Sequence, residues 1–222
     1  MERNVAVLAG ATGLVGRYLL DVLLEDAFFD GVVALTRRDL GFSHARLEQR
    51  RVDFAELTRE DLAGATHLFC TLGTTMKVAG SREAFRKVDY DACASFARAG
   101  RAAGARRLAL LSSVGADALA ASFYLRTKGE LEAYAATLGF EALQIFRPGV
   151  LLGRREVERP AEQWAGRLAH GLEFALRGRW SKYKPMPAGA LAASMAASAE
   201  RGEPGVHVYH YDEILRLAGF SR

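Results

Sequence analysis

The turn Gly10-Ala-Thr-Gly13-Leu-Val-Gly16 constrains this chain more than any other segment. It follows a continuous apolar run, Val5-Ala-Val-Leu-Ala9, and precedes a stretch in which Leu19, Leu20, Leu23 and Leu24 recur at helical spacing. An uninterrupted apolar strand is the kind buried on both faces of a parallel sheet. Glycines between such a strand and a helix let the chain turn tightly, let a ligand approach the backbone and let the helix pack on the strand. The unpaired N–H groups and positive dipole end at the helix start suit an anion such as a dinucleotide pyrophosphate. A tight turn without a ligand is the plainer reading of a lone glycine triplet. At the first strand–helix junction of an α/β chain, the nucleotide is the stronger one.

The rest of the chain keeps the same grammar. Residues 32–36, 49–52, 67–71, 107–111 and 141–146 read as strands two to six. Helices are expected over 14–25, from the cap Ser81 to Gly104, and over 124–138 before Gly139. This alternation predicts an α/β fold, a doubly wound parallel sheet of the dinucleotide-binding Rossmann kind, with strand order 3-2-1-4-5-6. Past Pro148 the pattern loosens. Helices are expected over 162–176 and 188–200, an aromatic and basic loop over 180–187, and a last strand over 205–211. The 222 residues, half of them hydrophobic, suffice for one core, so the chain is expected to form one domain. Residues 154–222 are expected to make a small C-terminal extension on its substrate side.

Charge excludes some partners. The net charge is +4, but the basic residues form scattered doublets such as Arg50-Arg51 and Arg106-Arg107 rather than a stripe, which argues against nucleic acid. Cys70 and Cys93 lack paired-motif spacing and read as reduced packing residues. His207 and His210 have no third ligand in view, so no metal is expected. Lys77, Trp180, Lys182, Tyr183 and Lys184 read as loop and packing residues. A short apolar run interrupted by a glycine turn is no signal peptide, and no stretch reaches transmembrane length. A soluble cytoplasmic protein, monomeric or homodimeric, is the resulting expectation.

The end of the second strand selects the nucleotide. An acidic residue there would favour NAD; this chain has Thr36-Arg37-Arg38, with no carboxylate at that point. A guanidinium pairs well with a 2′-phosphate, so NADP(H) is expected. Asp53-Phe54 is placed to meet the adenine. Leu72-Gly73-Thr74, after the fourth strand, should pass over the ribose and phosphate, and Pro148-Gly149-Val150 should lie behind the nicotinamide.

Tyr124 and Lys128, four apart on a helix, share one face. A neighbouring ammonium favours the phenolate, so such a tyrosine is equipped to pass a proton to a carbonyl oxygen as hydride arrives. The lysine is also placed to hold ribose hydroxyls. Ser113 is positioned to hydrogen-bond the same substrate oxygen, with Ser112 as the alternative. Gly10, Gly13, Gly16, Arg37, Arg38, Ser113, Tyr124 and Lys128 together point to a reductase or dehydrogenase of a small carbonyl or alcohol.

Several segments resemble the atypical short-chain dehydrogenases/reductases, most closely the Tat-interacting-protein oxidoreductase family and its bacterial relatives. They are Gly10 to Gly16, Cys70-Thr-Leu-Gly-Thr-Thr75, Lys87-Val-Asp89, Leu111-Ser-Ser-Val-Gly-Ala-Asp117, Tyr124-Leu-Arg-Thr-Lys-Gly-Glu130, Phe146-Arg-Pro-Gly-Val-Leu-Leu-Gly153 and Arg159-Pro160. The resemblance covers residues 1 to about 165. It implies NADPH on a Rossmann fold, held by Thr12, Gly13, Leu14, Val15, Arg37, Arg38, Leu72, Gly73, Tyr124, Lys128, Leu151 and Arg159, with Tyr124 as proton donor or acceptor. The chain departs from larger members in its short Ser113-to-Tyr124 gap, in Leu72-Gly73-Thr74 replacing an asparagine-containing turn, and in lacking a large substrate extension. An NADPH-binding regulatory or sensor protein with little catalysis is the alternative these departures leave. A nucleotide-sugar epimerase would need a larger pocket.

Overall fold

The computed structural model describes residues 3–153 and 178–220. The expected helix over 162–176 lies outside the described residues.

Strand β1 (Val5–Ala9) is buried on both sides: Ala6 and Leu8 join the core on one face, Val7 and Ala9 the core on the other. Helix α1 (Leu14–Glu25) returns to β2 (Gly31–Thr36), and β3 (Leu47–Arg51) closes that edge. The chain crosses back through β4 (His67–Cys70), β5 (Arg107–Leu111) and β6 (Ala142–Phe146). The expected order 3-2-1-4-5-6 is present. A seventh strand, β9 (Gly205–Tyr209), extends it beyond β6, and all six pairings are parallel. Between β6 and β9 lies a two-stranded pair, β7 (Leu151–Leu152) with β8 (Met186–Pro187).

Between β4 and β5 the expected long helix is interrupted. A short α2 (Met76–Ala79) precedes α3 (Arg82–Arg86), whose cap Ser81 accepts from the Ala84 N–H at 3.1 Å. A π turn over Lys87–Ala92 then leads into α4 (Cys93–Ala102), and Gly104 follows in the left-handed region. Helix α5 (Phe123–Thr137) connects β5 to β6. Phe96, Ala97, Leu131 and Ala135 of α4 and α5 pack on one face of the sheet.

The opposite face is covered by α1 and by α6 (Ala188–Arg201), with α7 (Tyr211–Leu217) beside them. Leu19, Leu20 and Leu23 meet Leu191, Met195 and Ala199 in one buried cluster, each large side chain contributing about 1.5–3 kcal/mol. Much of the stretch after residue 187 thus completes the helical layer on this face of the sheet. Short α7 carried too brief a pattern to be anticipated. Among the described residues no helix is long and apolar enough to cross a membrane.

His67 begins β4 at the end of the sheet away from the glycine turn. It is packed edge-on against Phe28 and Phe29, and its Nε2 lies 3.0 Å from Arg107 Nη1. Burial, with the charges of Arg107 and Arg106, pushes its imidazole down to about 4. An unfolded histidine near 6.5 takes a proton that the folded one refuses, so stability falls as pH drops from 6.5 toward 4. The expected loss at the acid end is about 3 kcal/mol. Urea denaturation across that range tests it: the stability gap between the native chain and His67→Gln should narrow steadily. A gap independent of pH would count against it.

Candidate cofactor and proton-transfer site

The strands' carboxyl ends carry the site. β1 runs into Gly10, which adopts φ +97°. A Cβ there would lie 2.7 Å from the Thr71 carbonyl carbon, so only glycine allows β1 and β4 to approach this closely. Gly13 caps α1 without any side-chain hydrogen bond, leaving the first amides of the helix for another acceptor. Gly16 has a different task. It lines neither cleft, and a Cβ on it would sit 2.0 Å from the Gly10 carbonyl oxygen, so it serves the packing of α1 on the turn.

Two clefts meet along this edge. The first, about 650 Å³, is lined by Gly10, Thr12, Arg37, Arg38, Phe54 and Leu72, among others. Arg37 and Arg38 are exposed just past β2. Asp21 and Asp39 share the lining with the two arginines; the Asp39 Oδ1 accepts from the Gly41 N–H at 2.6 Å. Asp53 does not line either cleft. Its carboxylate accepts from the Ala55 N–H at 2.9 Å and shapes a local turn, leaving Phe54 as the wall.

The second cleft, about 850 Å³, contains Thr12, Gly13, Leu14, Val15, Leu72, Gly73, Thr74, Ser113, Tyr124, Lys128, Pro148, Val150 and Leu151. Arg17, not anticipated, borders both clefts, and its Nε donates to the Thr12 carbonyl at 3.2 Å. Its place one residue after Gly16 was the available signal. Arg159 lies outside the described residues. The glycine turn, uncapped helix start and flanking arginines fit a dinucleotide: they combine room for close backbone approach with unpaired donors and positive charge.

The serine pair is separated by its partners. Ser112 is buried, and its Oγ donates to Glu132, which also takes a two-point ion pair from Arg147. Ser113 is only partly buried, with a long 3.4 Å contact to the Val114 carbonyl. The loop carrying it lies directly on α5, because Gly129 replaces a side chain whose Cβ would overlap Asp117 and Ala118 backbone atoms at 2.2 Å. The short gap between Ser113 and Tyr124 is accommodated by this close approach.

Tyr124 is half-buried, its ring 5.5 Å from that of Phe85. Lys128, one turn on, is buried, and its Nζ lies 2.8 Å from Asp89 Oδ1. Burial pulls the ammonium down more than any one neighbour raises it, but Asp89 foremost, together with Cys93 and Tyr124, outweighs it, and the lysine is held well above its usual range. Sequence reasoning gave Asp89 no role. Its partner is remote in the chain, and only the Lys87-Val-Asp89 segment hinted at it. Cys70 and Cys93 are free, buried thiols next to this pair; the hydrogen bond Cys93 donates to Cys70, with burial, pushes Cys93 up.

At the cleft's rim, Leu151 and Leu152 run beside Met186 and Pro187, and the Met186 N–H donates to the Val150 carbonyl at 2.8 Å. A Cβ on Gly149 would meet the Lys184 carbonyl at 2.7 Å, so residues 183–187 lie flush against this loop.

Residues 10–151 match the NAD(P)H-binding family. Protein HTATIP2 of Rattus norvegicus is 36% identical over 200 residues, covering 88% of this chain and 81% of the relative. Protein FMP52, mitochondrial, of Candida albicans is 31% identical over 232 residues, covering 95% and 96%. The fold is shared with MoeE5, solved in complex with UDP-glucose and NAD, at TM-score 0.69 and 18% identity over 96% of this chain and 80% of that one. The expectation of a cytoplasmic protein is corrected here: several relatives carry the word mitochondrial in their names, which points away from a purely cytoplasmic location. With a seven-stranded Rossmann sheet, the glycine turn at its first crossover and this extent of similarity, the chain belongs to the NAD(P)H-binding family of HTATIP2 and FMP52, within the atypical short-chain dehydrogenases/reductases.

Proposed function

We propose that this protein is an NADPH-dependent oxidoreductase that interconverts a small carbonyl compound and its alcohol. The observation that carries the reading is one cleft lined by Ser113, Tyr124 and Lys128 together with residues of the glycine turn.

The residues divide the work. Amides at the start of α1, with Arg17 beside them, face the pyrophosphate. Arg37 and Arg38 face the 2′-phosphate, and Phe54 the adenine. Lys128 holds ribose hydroxyls. The bound nicotinamide supplies or accepts the hydride at the carbonyl carbon. Tyr124 gives its hydroxyl proton to the carbonyl oxygen in reduction and recovers one in oxidation. Ser113 donates a hydrogen bond to the same oxygen and fixes the carbonyl's orientation. Residues 178–187, with Val150, wall the substrate side.

Parallel fluorescence titrations with NADPH and NADH test the nucleotide assignment. Replacing Arg37 and Arg38 together by alanine should weaken NADPH by about tenfold or more and leave NADH nearly unchanged, because each charge-assisted hydrogen bond contributes about 1.5–3 kcal/mol. Equal affinity of the native chain for both nucleotides would refute the arginine assignment, and no binding to either would overturn the whole reading. Sustained NADPH oxidation with any of a panel of aldehydes and ketones separates an enzyme from a nucleotide sensor.

A further inference from the structure

We propose that Asp89 is the fixed counter-ion of Lys128, a positioning residue that keeps the lysine an ammonium and aims it across the cleft. The inference rests on the reading of Lys128 as a cofactor-side residue.

Both side chains are withdrawn from water: 5% of Lys128 and 1% of Asp89 remain exposed. A buried lysine without a partner sheds its proton, since burial penalises the charged form. The carboxylate is itself anchored. Its Oδ2 accepts from the Thr74 N–H at 2.7 Å, tying it to the loop after β4. Its Oδ1 lies 2.8 Å from Nζ, where the charge of Asp89 counts for more than the hydrogen bond between them. The attraction is therefore mainly that of charge, and the ammonium's N–H bonds stay available to acceptors in the cleft. Gly73 keeps the approach open: a Cβ there would stand 3.3 Å from Asp89 Oδ1 and 3.7 Å from Nζ.

The π turn over Lys87–Ala92 supplies the position, and such turns are frequent at functional sites. The other titratable groups at Lys128 are Cys93 on α4, Cys70 on β4 and Tyr124 on its own helix. Asp89 brings a carboxylate oxygen to 2.8 Å from Nζ, whereas burial and a hydrogen bond to Cys70 push the Cys93 thiol up. Asp89 is the foremost of the groups that support the charge of Lys128.

The test reads the lysine directly. Carbon-13 labelling at the lysine ε-carbon allows NMR titration, with the Lys128 signal identified by its loss in Lys128→Met. In the native chain Lys128 should stay protonated up to strongly alkaline pH. In Asp89→Asn its midpoint should fall acid-ward by at least about one unit, a tenfold change in proton affinity, whereas Asp89→Glu should retain most of the native behaviour. An unmoved midpoint in Asp89→Asn would overturn the proposal. Should that variant fold poorly, the double variant Asp89→Asn/Lys128→Met, with both charges gone, should regain stability. A double variant no more stable than the single one would also overturn it. NADPH titration of the same proteins separates the two readings. If the native chain fails to bind NADPH while the midpoint still moves, the cofactor assignment fails and the counter-ion role stands.

Discussion

Replacing Tyr124 by phenylalanine should lower turnover by about a hundred- to ten-thousand-fold and leave NADPH affinity within about twofold. The substitution removes one oxygen and keeps the ring that packs against Phe85, so neither α5 nor the cleft wall has reason to move. What disappears is the proton source at the substrate oxygen. Without it, hydride arriving at the carbonyl carbon would generate an alkoxide with only Ser113 beside it. Steady-state kinetics on a carbonyl substrate, alongside a fluorescence titration of NADPH, checks both halves. Undiminished turnover would end the case for the tyrosine, and a large loss of cofactor affinity would recast it as a binding residue.

Gly16→Ala should destabilise the fold by at least about 3 kcal/mol and abolish high-affinity cofactor binding. The added methyl would meet the Gly10 carbonyl oxygen at 2.0 Å, and that atom belongs to backbone that has nowhere to go. Helix α1 would have to lift away from the turn, breaking its contacts with both β1 and α6. Gly13→Ala provides the contrast. Its nearest contact is that same oxygen at 3.2 Å, which a shift of a few tenths of an ångström relieves. It should spare most of the stability while crowding the phosphate seat. Denaturant unfolding with NADPH titration on both variants distinguishes packing from binding. A Gly16→Ala protein as stable as the native chain would show that α1 is less tightly seated than the contacts require.

The sequence disclosed the features that rest on strong local geometry. The glycine turn was legible because backbone approach admits no side chain, and the Tyr124/Lys128 face was legible because helical spacing needs no knowledge of the fold. The sheet order followed from alternation alone. Long-range chemistry stayed hidden. Asp89 meets Lys128 only once a π turn and a separate helix are assembled, and nothing in a window around either residue announces the other. The sequence favours Ser113 with Ser112 as the alternative, and only the fold shows that Ser112 is engaged by Glu132, itself held by Arg147. Asp53 was assigned to the adenine for its position, whereas its carboxylate is used by the Ala55 N–H two residues on. Asx-type turns of this kind are a common local competitor for a strand-end aspartate. Arg159 was placed by resemblance alone.

The π turn also bears on how this segment tolerates change. A helix carrying one surplus residue is out of phase with itself across that point. Deleting any single residue within Lys87–Ala92 would let the winding close up as ordinary α-helix, leaving the helix on either side in phase but shifting the residues inside the turn. Phe85 and Asp89 would then no longer face their partners at once. Asp89 apart, the length of this stretch is held more tightly than its side chains. Insertions and deletions among relatives should accumulate elsewhere, in loops whose phase nothing else has to match.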